Sequence, residues 1–344
     1  MTVRVGFLGA GLIATYHSKS LRRSGEDVAW AGVHDPDRRR AEAFAAASGA
    51  TVCDGEEQVL DGCDAVYVCT WTSEHVRLVR AAAERGLAVF CEKPLATDLA
   101  GAVEVARAVG AAGVTNQVGL VLRHSPAFNL LRSLVGDPAS GRVMAVVFRD
   151  DQYLPVQGHY GSTWRGDAAR AGAGTLLEHS IHDLDVLEWL CGPVARVAAE
   201  TAAYHGIPGI EDVAVATLRF ASGATASLAS VWHDVLDRPS LRRVEVLCER
   251  AWYALEGDWW GPVRWTRQGE GSGSVEGEAL VAALAGRGVA TGNPDGAFVR
   301  AVAEGGPAFP DAAVALRAHV VADAAYRSAA AGGRAVDVAA GVPA

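Results

Sequence analysis

The segment that most constrains this chain is Gly9-Ala10-Gly11-Leu12-Ile13-Ala14, which directly follows the apolar run Val3–Leu8. Gly9 permits a tight turn, Gly11 lets the backbone approach a pyrophosphate, and Ala14 is small enough for helix and strand to pack closely. Amides at the start of the helix then face the phosphates. Glycine-rich turns also occur as plain connections, so the surroundings decide. Here helical spacing follows over residues 11–23, a second strand over 28–33, and Asp35 stands just past that strand. Together these predict dinucleotide binding. Asp35 can accept hydrogen bonds from the adenosine ribose hydroxyls, and its charge repels a 2′-phosphate, which favours NAD. Arg38 and Arg39 keep NADP possible, because either could receive that phosphate. As solvated charges on a helix they would do no such thing.

Further strands over residues 51–53, 65–69, 87–91 and 114–120 alternate with helices over 36–48, 73–86 and 98–112. Strands separated by helices and joined by short turns predict an α/β Rossmann domain, a doubly wound parallel sheet covered on both faces. From Arg123 the pattern changes. A helix over 126–135 precedes strands over 143–148, 194–204, 213–220, 224–232, 241–248 and 251–255, with hairpin signals such as Ser222-Gly223. A length of 344 residues suits two domains. The boundaries predicted are 1–122 for the dinucleotide and 123–344 for the substrate.

A net charge of -9 offers phosphates no basic footprint, so no nucleic-acid partner is expected. No apolar stretch is long enough to span a bilayer, and Val3–Leu8 runs into a glycine turn rather than a leader peptide. A cytoplasmic location is expected. The six cysteines form no C-x-x-C pair and read as free, small hydrophobes.

Residues 87–95 read Leu-Ala-Val-Phe-Cys-Glu-Lys-Pro-Leu. The strand delivers Glu92-Lys93-Pro94 to its carboxyl end, the edge where open α/β sheets bind ligands. Taken alone, a lysine at a strand end is ordinarily a solvated charge. With Gly9 to Ala14, His75, Gln117-Val118-Gly119, Gly172-Ala173-Gly174-Thr175 and the run Glu178-His179-Ser180-Ile181-His182-Asp183-Leu184-Asp185, however, the chain resembles the Gfo/Idh/MocA family of oxidoreductases. Ala325-Tyr326-Arg327-Ser328 is similar to that family's last helix. One departure is Thr72-Ser73, where many members carry Pro-Asn. The resemblance implies a C-terminal α/β domain with a large, mostly antiparallel open sheet, through which members form homodimers or homotetramers. It also implies oxidation or reduction of a hydroxyl carbon on a small polyhydroxylated substrate such as a sugar or inositol. Cofactor contacts are expected from Gly9, Ala10, Gly11, Leu12, Ile13, Asp35, Thr70, Trp71, His75, Glu92 and Lys93.

Spacing predicts one helix over residues 175–190, which sets Glu178, His182 and Asp185 on a single narrow stripe. A carboxylate and an imidazole one turn apart suit proton transfer, although the same pattern fits a wet polar face. Through the resemblance, Lys93 and His182 match residue by residue, while Glu178 stands where aspartate is common. His182 is then the general base, Lys93 stabilises charge on the reacting oxygen, and Glu178 orients His182 or a substrate hydroxyl. The loop expected over 149–165 carries Asp150, Asp151, Gln152, Tyr153, His159, Tyr160, Trp164 and Arg165. Trp164 and Arg165 are the substrate contacts selected from it. His179-x-x-His182 has helical spacing, but His179 lies off the stripe with no fourth ligand evident, so no metal is expected. Two other readings remain open: NAD-dependent glycoside hydrolysis by transient oxidation, and a redox-silent dinucleotide-binding regulator. Asp35→Ser should weaken NAD preference and raise relative use of NADP; an unchanged preference ratio in steady-state assays would show that Asp35 does not contact the ribose.

Overall fold

The computed structural model describes residues 1–158, 160–289 and 291–339. Along the chain run β1 (Val3–Leu8), α1 (Leu12–Arg23), β2 (Val28–His34), α2 (Arg38–Ser48), β3 (Thr51–Val52), α3 (Glu56–Gly62), β4 (Ala65–Val68), α4 (His75–Glu84), β5 (Ala88–Cys91), α5 (Leu99–Ala112) and β6 (Asn116–Val118). Next come α6 (Pro126–Val135), β7 (Val143–Tyr153), α7 (Ala168–Ala171), α8 (Thr175–Glu178), α9 (Ile181–Cys191), β8 (Val194–Ala202), β9 (Val213–Phe220), β10 (Thr225–His233), β11 (Leu241–Cys248), β12 (Ala251–Glu256), β13 (Val263–Arg267) and β14 (Gly271–Val275). The last elements are α10 (Ala279–Ala285), α11 (Pro294–Glu304), α12 (Ala312–Ala330) and β15 (Val336–Asp337). Two compact units result. One comprises Met1–Leu120 with Gly292–Leu316; the other comprises Val121–Thr291 and the chain from Arg317 onward.

The first unit holds a six-stranded sheet in the order β3-β2-β1-β4-β5-β6, every pair parallel. Such a sheet is covered on both faces, which explains why every residue of β4 and β5 is buried. Local signals set the helix ends. Asp37 caps α2 by accepting from the Arg39 amide at 3.0 Å, and Asp98 caps α5 through the Gly101 amide at 2.8 Å. Ser73, where the sequence predicts a helix to begin, lies instead in a 3-10 turn, and α4 starts at His75. Sequence periodicity does not reveal α3, because only Val59 and Leu60 of its seven residues are buried, too few to display a period.

Residues 292–316 are distant along the chain from the first 120, yet pack within this unit. Asn293 caps α11 through the Asp295 and Gly296 amides, and its side chain bonds back to Ser20 of α1. Phe298 and Val299 then join the core formed with Phe7, Tyr67 and Phe90. In this division the chain leaves the first unit after Leu120, returns to it at Gly292 and leaves it again after Leu316.

The second unit is built on a nine-stranded sheet ordered β14-β13-β12-β11-β7-β10-β9-β8-β15. Only β7 and β10 pair in parallel. Burial alternates strictly along β9 and β11, as expected for a sheet with one covered face. Phe148, Leu228 and Val244 lie in register on the buried side, whereas Val147, Val215 and Leu247 are exposed on the other. Among the described residues no helix is long and apolar enough to cross a membrane.

Two local expectations fail here. β7 extends to Tyr153, because pairing with β10 continues to His233 and pairing with β11 begins at Asp151. Asp150, Asp151 and Gln152 are therefore buried strand residues rather than loop residues. The single helix over 175–190 is broken at His179-Ser180. The Ser180 and Thr175 hydroxyls both bond Ser230 of β10, at 2.5 and 2.7 Å, which draws the chain toward the sheet. The amides opening α8 are met by Glu211, which accepts from Gly174 at 2.8 Å and Leu176 at 3.0 Å. The Tyr326 hydroxyl donates to Glu211 at 2.8 Å and accepts from the Leu177 amide at 3.1 Å. That close approach requires glycine at 174, where a Cβ would lie 1.8 Å from the Glu211 carbonyl oxygen. Gly174→Ala should therefore cost about 2–3 kcal/mol or more, read from urea unfolding midpoints. Gly62→Ala, with nothing within 4 Å of the added carbon, should stay within about 0.5 kcal/mol of the parent.

Candidate active site

In the first unit, the four loops of interest leave the carboxyl ends of β1, β2, β4 and β5, one edge of one parallel sheet. Gly9 has φ +89°, and a Cβ there would lie 2.5 Å from the Cys69 carbonyl oxygen. Gly11 has nothing within 4 Å of where its Cβ would stand, and no side chain caps the helix it opens. This is an open cradle with helix amides, the arrangement a pyrophosphate needs. Leu12 is 61% exposed beside it. Asp35 secures the loop by accepting from the Ala10 amide at 2.8 Å, and its other oxygen accepts from Asp37 at 2.8 Å. Arg38 is engaged by Glu42 and Asp54, at 3.1 and 2.9 Å. These residues fit a dinucleotide, and the engaged Arg38 fits NAD better than NADP.

Thr70 and Trp71 follow β4, and Lys93 follows β5 by two positions. His75 is buried. Its Nδ1 lies 2.8 Å from the Pro94 carbonyl and its Nε2 3.4 Å from the Thr70 carbonyl, so the ring ties these two loops together. Glu92 is also buried, with Oε1 2.9 Å from His17 Nε2. On its far side His17 Nδ1 meets Asp295 at 2.7 Å. Although burial alone would lower it, the two carboxylates push the His17 pKa up to about 10. Gly119 leaves room for the Glu92 carboxylate, since a Cβ there would lie 2.1 Å from Oε1.

In the second unit, Arg165 Nε donates to Glu178 Oε2 at 3.0 Å and its guanidinium lies 4.5 Å from the Trp164 ring centroid. Three residues selected from sequence are thus neighbours. Asp185 departs from the expected stripe: the helix break changes its angle to Glu178, and Arg123 holds it at 2.7 Å. Within α9 and the break, the His179 and His182 rings lie 6.5 Å apart. Behind them sits fully buried Arg242, whose guanidinium reaches Asp183 at 2.8 Å, Asp258 at 2.8 Å, Asp150 at 3.0 Å and His179 Nε2 at 2.7 Å. His179 Nε2 also lies 3.2 Å from Asp150. Burial, followed by the charge of Asp150, pushes the Asp183 pKa up to about 7. Tyr153 is directed away to the Arg238 carbonyl. His159 lies outside the described residues.

Residues 3–120 match the model of an oxidoreductase family with an NAD-binding Rossmann fold, and residues 128–254 match the Gfo/Idh/MocA C-terminal domain. The chain belongs to the Gfo/Idh/MocA family. Inositol 2-dehydrogenase of Cereibacter sphaeroides (strain ATCC 17029 / ATH 2.4.9) is 33% identical over 231 residues, 65% of each chain. 1,5-anhydro-D-fructose reductase of Ensifer adhaerens is 33% identical over 67% of this chain and 68% of its own length. The matched region therefore spans about two thirds of these relatives. A solved levoglucosan dehydrogenase in complex with NADH superposes with TM-score 0.86 over 98% of this chain and all of its own, at 21% identity.

Lys93, two positions past β5, and His182, on α9, were singled out in the sequence through the family resemblance. His17, Asp295 and Arg242 were not, because each acts through partners distant along the chain. Among the described residues no group of three or more His, Cys, Asp or Glu side chains is arranged to hold a metal ion. The elevated Asp183 pKa has a consequence for stability. A carboxyl that keeps its proton in the folded state stabilises fully below the ordinary carboxylate range, and that contribution is lost as pH rises through about 7. Asp183→Asn retains the acceptor for Arg242 and removes the titration. Its melting temperature should change less than the parent's between about pH 5 and about pH 7.5; an equal change would place the titrating group elsewhere.

Proposed function

We propose that this chain is an NAD-dependent dehydrogenase or reductase acting on a hydroxyl carbon of a sugar, inositol or related polyol. The observation that carries this reading is the shared sheet edge of the first unit, where a dinucleotide cradle and the Glu92-Lys93-Pro94 turn emerge from parallel strands. The relatives' names, an inositol dehydrogenase and an anhydrofructose reductase, support the substrate class.

The nicotinamide, when bound, accepts or returns a hydride, and the protein orients and excludes water around it. In the oxidative direction His182 takes the hydroxyl proton. Lys93 donates to that oxygen and stabilises its developing negative charge. Glu178 and Arg165 act as a pair rather than Glu178 acting on His182: the guanidinium fixes the carboxylate, which then accepts from a substrate hydroxyl. Trp164 offers an apolar face beside them. The uncovered sheet face with Val147, Val215 and Leu247 is the surface through which copies associate as a dimer or tetramer. Six buried free thiols suit a reducing cytoplasm.

The test is a panel of sugars and inositols with NAD and NADP, followed by single-turnover hydride transfer in variants. His182→Ala should lose roughly 10²–10⁴ in rate. Lys93→Ala should lose at least as much, with dinucleotide affinity nearly intact in both. The double variant should lose less than the product of the single losses, since both groups serve one O–H. Near-full rates in His182→Ala would remove it from the proton-transfer role.

A further inference from the structure

The Glu92–His17–Asp295 cluster has no part in the chemistry above. His17 lies on α1 with no exposed surface, and both ring nitrogens meet carboxylate oxygens, Asp295 at 2.7 Å and Glu92 at 2.9 Å. A neutral imidazole has only one N–H and would turn a lone pair toward one of them. The doubly protonated ring satisfies both. Phe90, at 4.7 Å between ring centroids, and Tyr67, at 5.7 Å, cover the rest of the ring. The second Glu92 oxygen, Oε2, accepts from the Lys93 main-chain amide at 3.2 Å. One carboxylate therefore links a buried imidazolium to the peptide that carries Lys93.

We propose that His17 is a positioning residue for Lys93, holding the Glu92 carboxylate that in turn orients the Lys93 backbone. The inference rests on the catalytic reading of Lys93 given above. Stability alone does not account for a buried imidazole held between two carboxyl groups, because apolar residues of similar volume often stabilise a core at least as well as a buried ion pair. A fixed carboxylate beside the Lys93 amide does account for these three buried polar groups. It also explains the demand for glycine at 119, whose Cβ would displace that carboxylate. Asp295 supplies the second anchor from α11, so the ring cannot rotate away from Glu92 without losing a buried partner.

The sequence makes the test direct, because Lys19 and Lys93 are the chain's two lysines. Lysine labelled with 13C at Cε gives two side-chain signals, and Lys93→Met assigns them. In the full-length NADH complex, His17→Gln and Glu92→Gln should each move the Lys93 signal. Lys19 lies two residues from His17 on the same helix, so its unmoved signal reports that α1 is undisturbed. With the polyol selected by the panel, kcat in both variants should fall on the order of 10–100-fold, the effect of misplacing a reacting group by up to about 1 Å. NADH affinity in His17→Gln, which alters a fully buried ring outside the expected cofactor contacts, should stay within about threefold of the parent. Asp295→Asn keeps the shape of the site and should shift the Lys93 signal in the same direction by less; it replaces His17→Gln if that variant does not fold. An unmoved Lys93 signal in the folded variants overturns the proposal, as does a loss confined to NADH affinity or melting temperature. If Lys93→Met retains full hydride transfer while the Lys93 signal still moves in His17→Gln, the positioning holds and the catalytic reading of Lys93 fails.

Discussion

A parallel sheet buried on both faces leaves a protein few places for polar chemistry, and the first unit is organised by that restriction. Its central strands β4 and β5 are buried along their whole length, so recognition is confined to the turns beyond the carboxyl ends. Gly9, Asp35, Thr70 and Lys93 are four answers to the same constraint, each one or two residues past a strand. The helix amides after Gly11 supply partial positive charge without a side chain. Asp35 secures the Ala10 amide while facing the same edge. The inner polar residues, Glu92, His17 and Asp295, are tolerated because each charge has a partner within hydrogen-bond distance.

The second unit meets a different restriction. Its sheet has one covered face, and at the end of β7 that face carries acids instead of hydrocarbon. Asp150 and Asp183 approach each other in the interior, and Arg242 alone does not neutralise them together with Asp258. Burial, followed by the charge of Asp150, pushes the Asp183 pKa up to about 7 in answer to that excess. Glu178 avoids the same problem by taking Arg165 as its own partner. The ion pairs of this unit thereby fall into a set around buried Arg242 and a separate pair in which buried Glu178 meets the partly exposed Arg165.

Much of this was legible in the chain because the signals are local. The glycine loop, Asp35 and the alternating elements rest on turn geometry and periodicity within some thirty residues. Lys93 and His182 required a family resemblance, since nothing in their spacing distinguishes them from solvated or core residues. The break at His179-Ser180 was hidden because the apolar period runs straight through it; the deciding hydrogen bonds come from Ser230, fifty residues away. Asp150 to Gln152 read as loop for a similar reason. Polar residues seldom continue a strand into the interior; here Arg238, in the turn before β11, pairs with Asp151, and Arg242 on β11 pairs with Asp150. His17 and Asp295 are 278 positions apart, beyond any pattern a single sequence displays.

The return of residues 292–316 to the first unit bears on how the chain is made. During synthesis, amino-terminal domains generally fold as they emerge. Here the first 120 residues would leave the ribosome with His17 and Glu92 in place but without Asp295, and without Phe298 to close the aromatic core. The second unit's sheet, complete but for β15, is translated before that gap can be filled. The dinucleotide-binding unit is thus begun before the second unit and completed after most of it, and its maturation waits on residues 292–316. Binding competence in this protein is in that sense a late property of the nascent chain, set by connectivity rather than by the strength of any one contact.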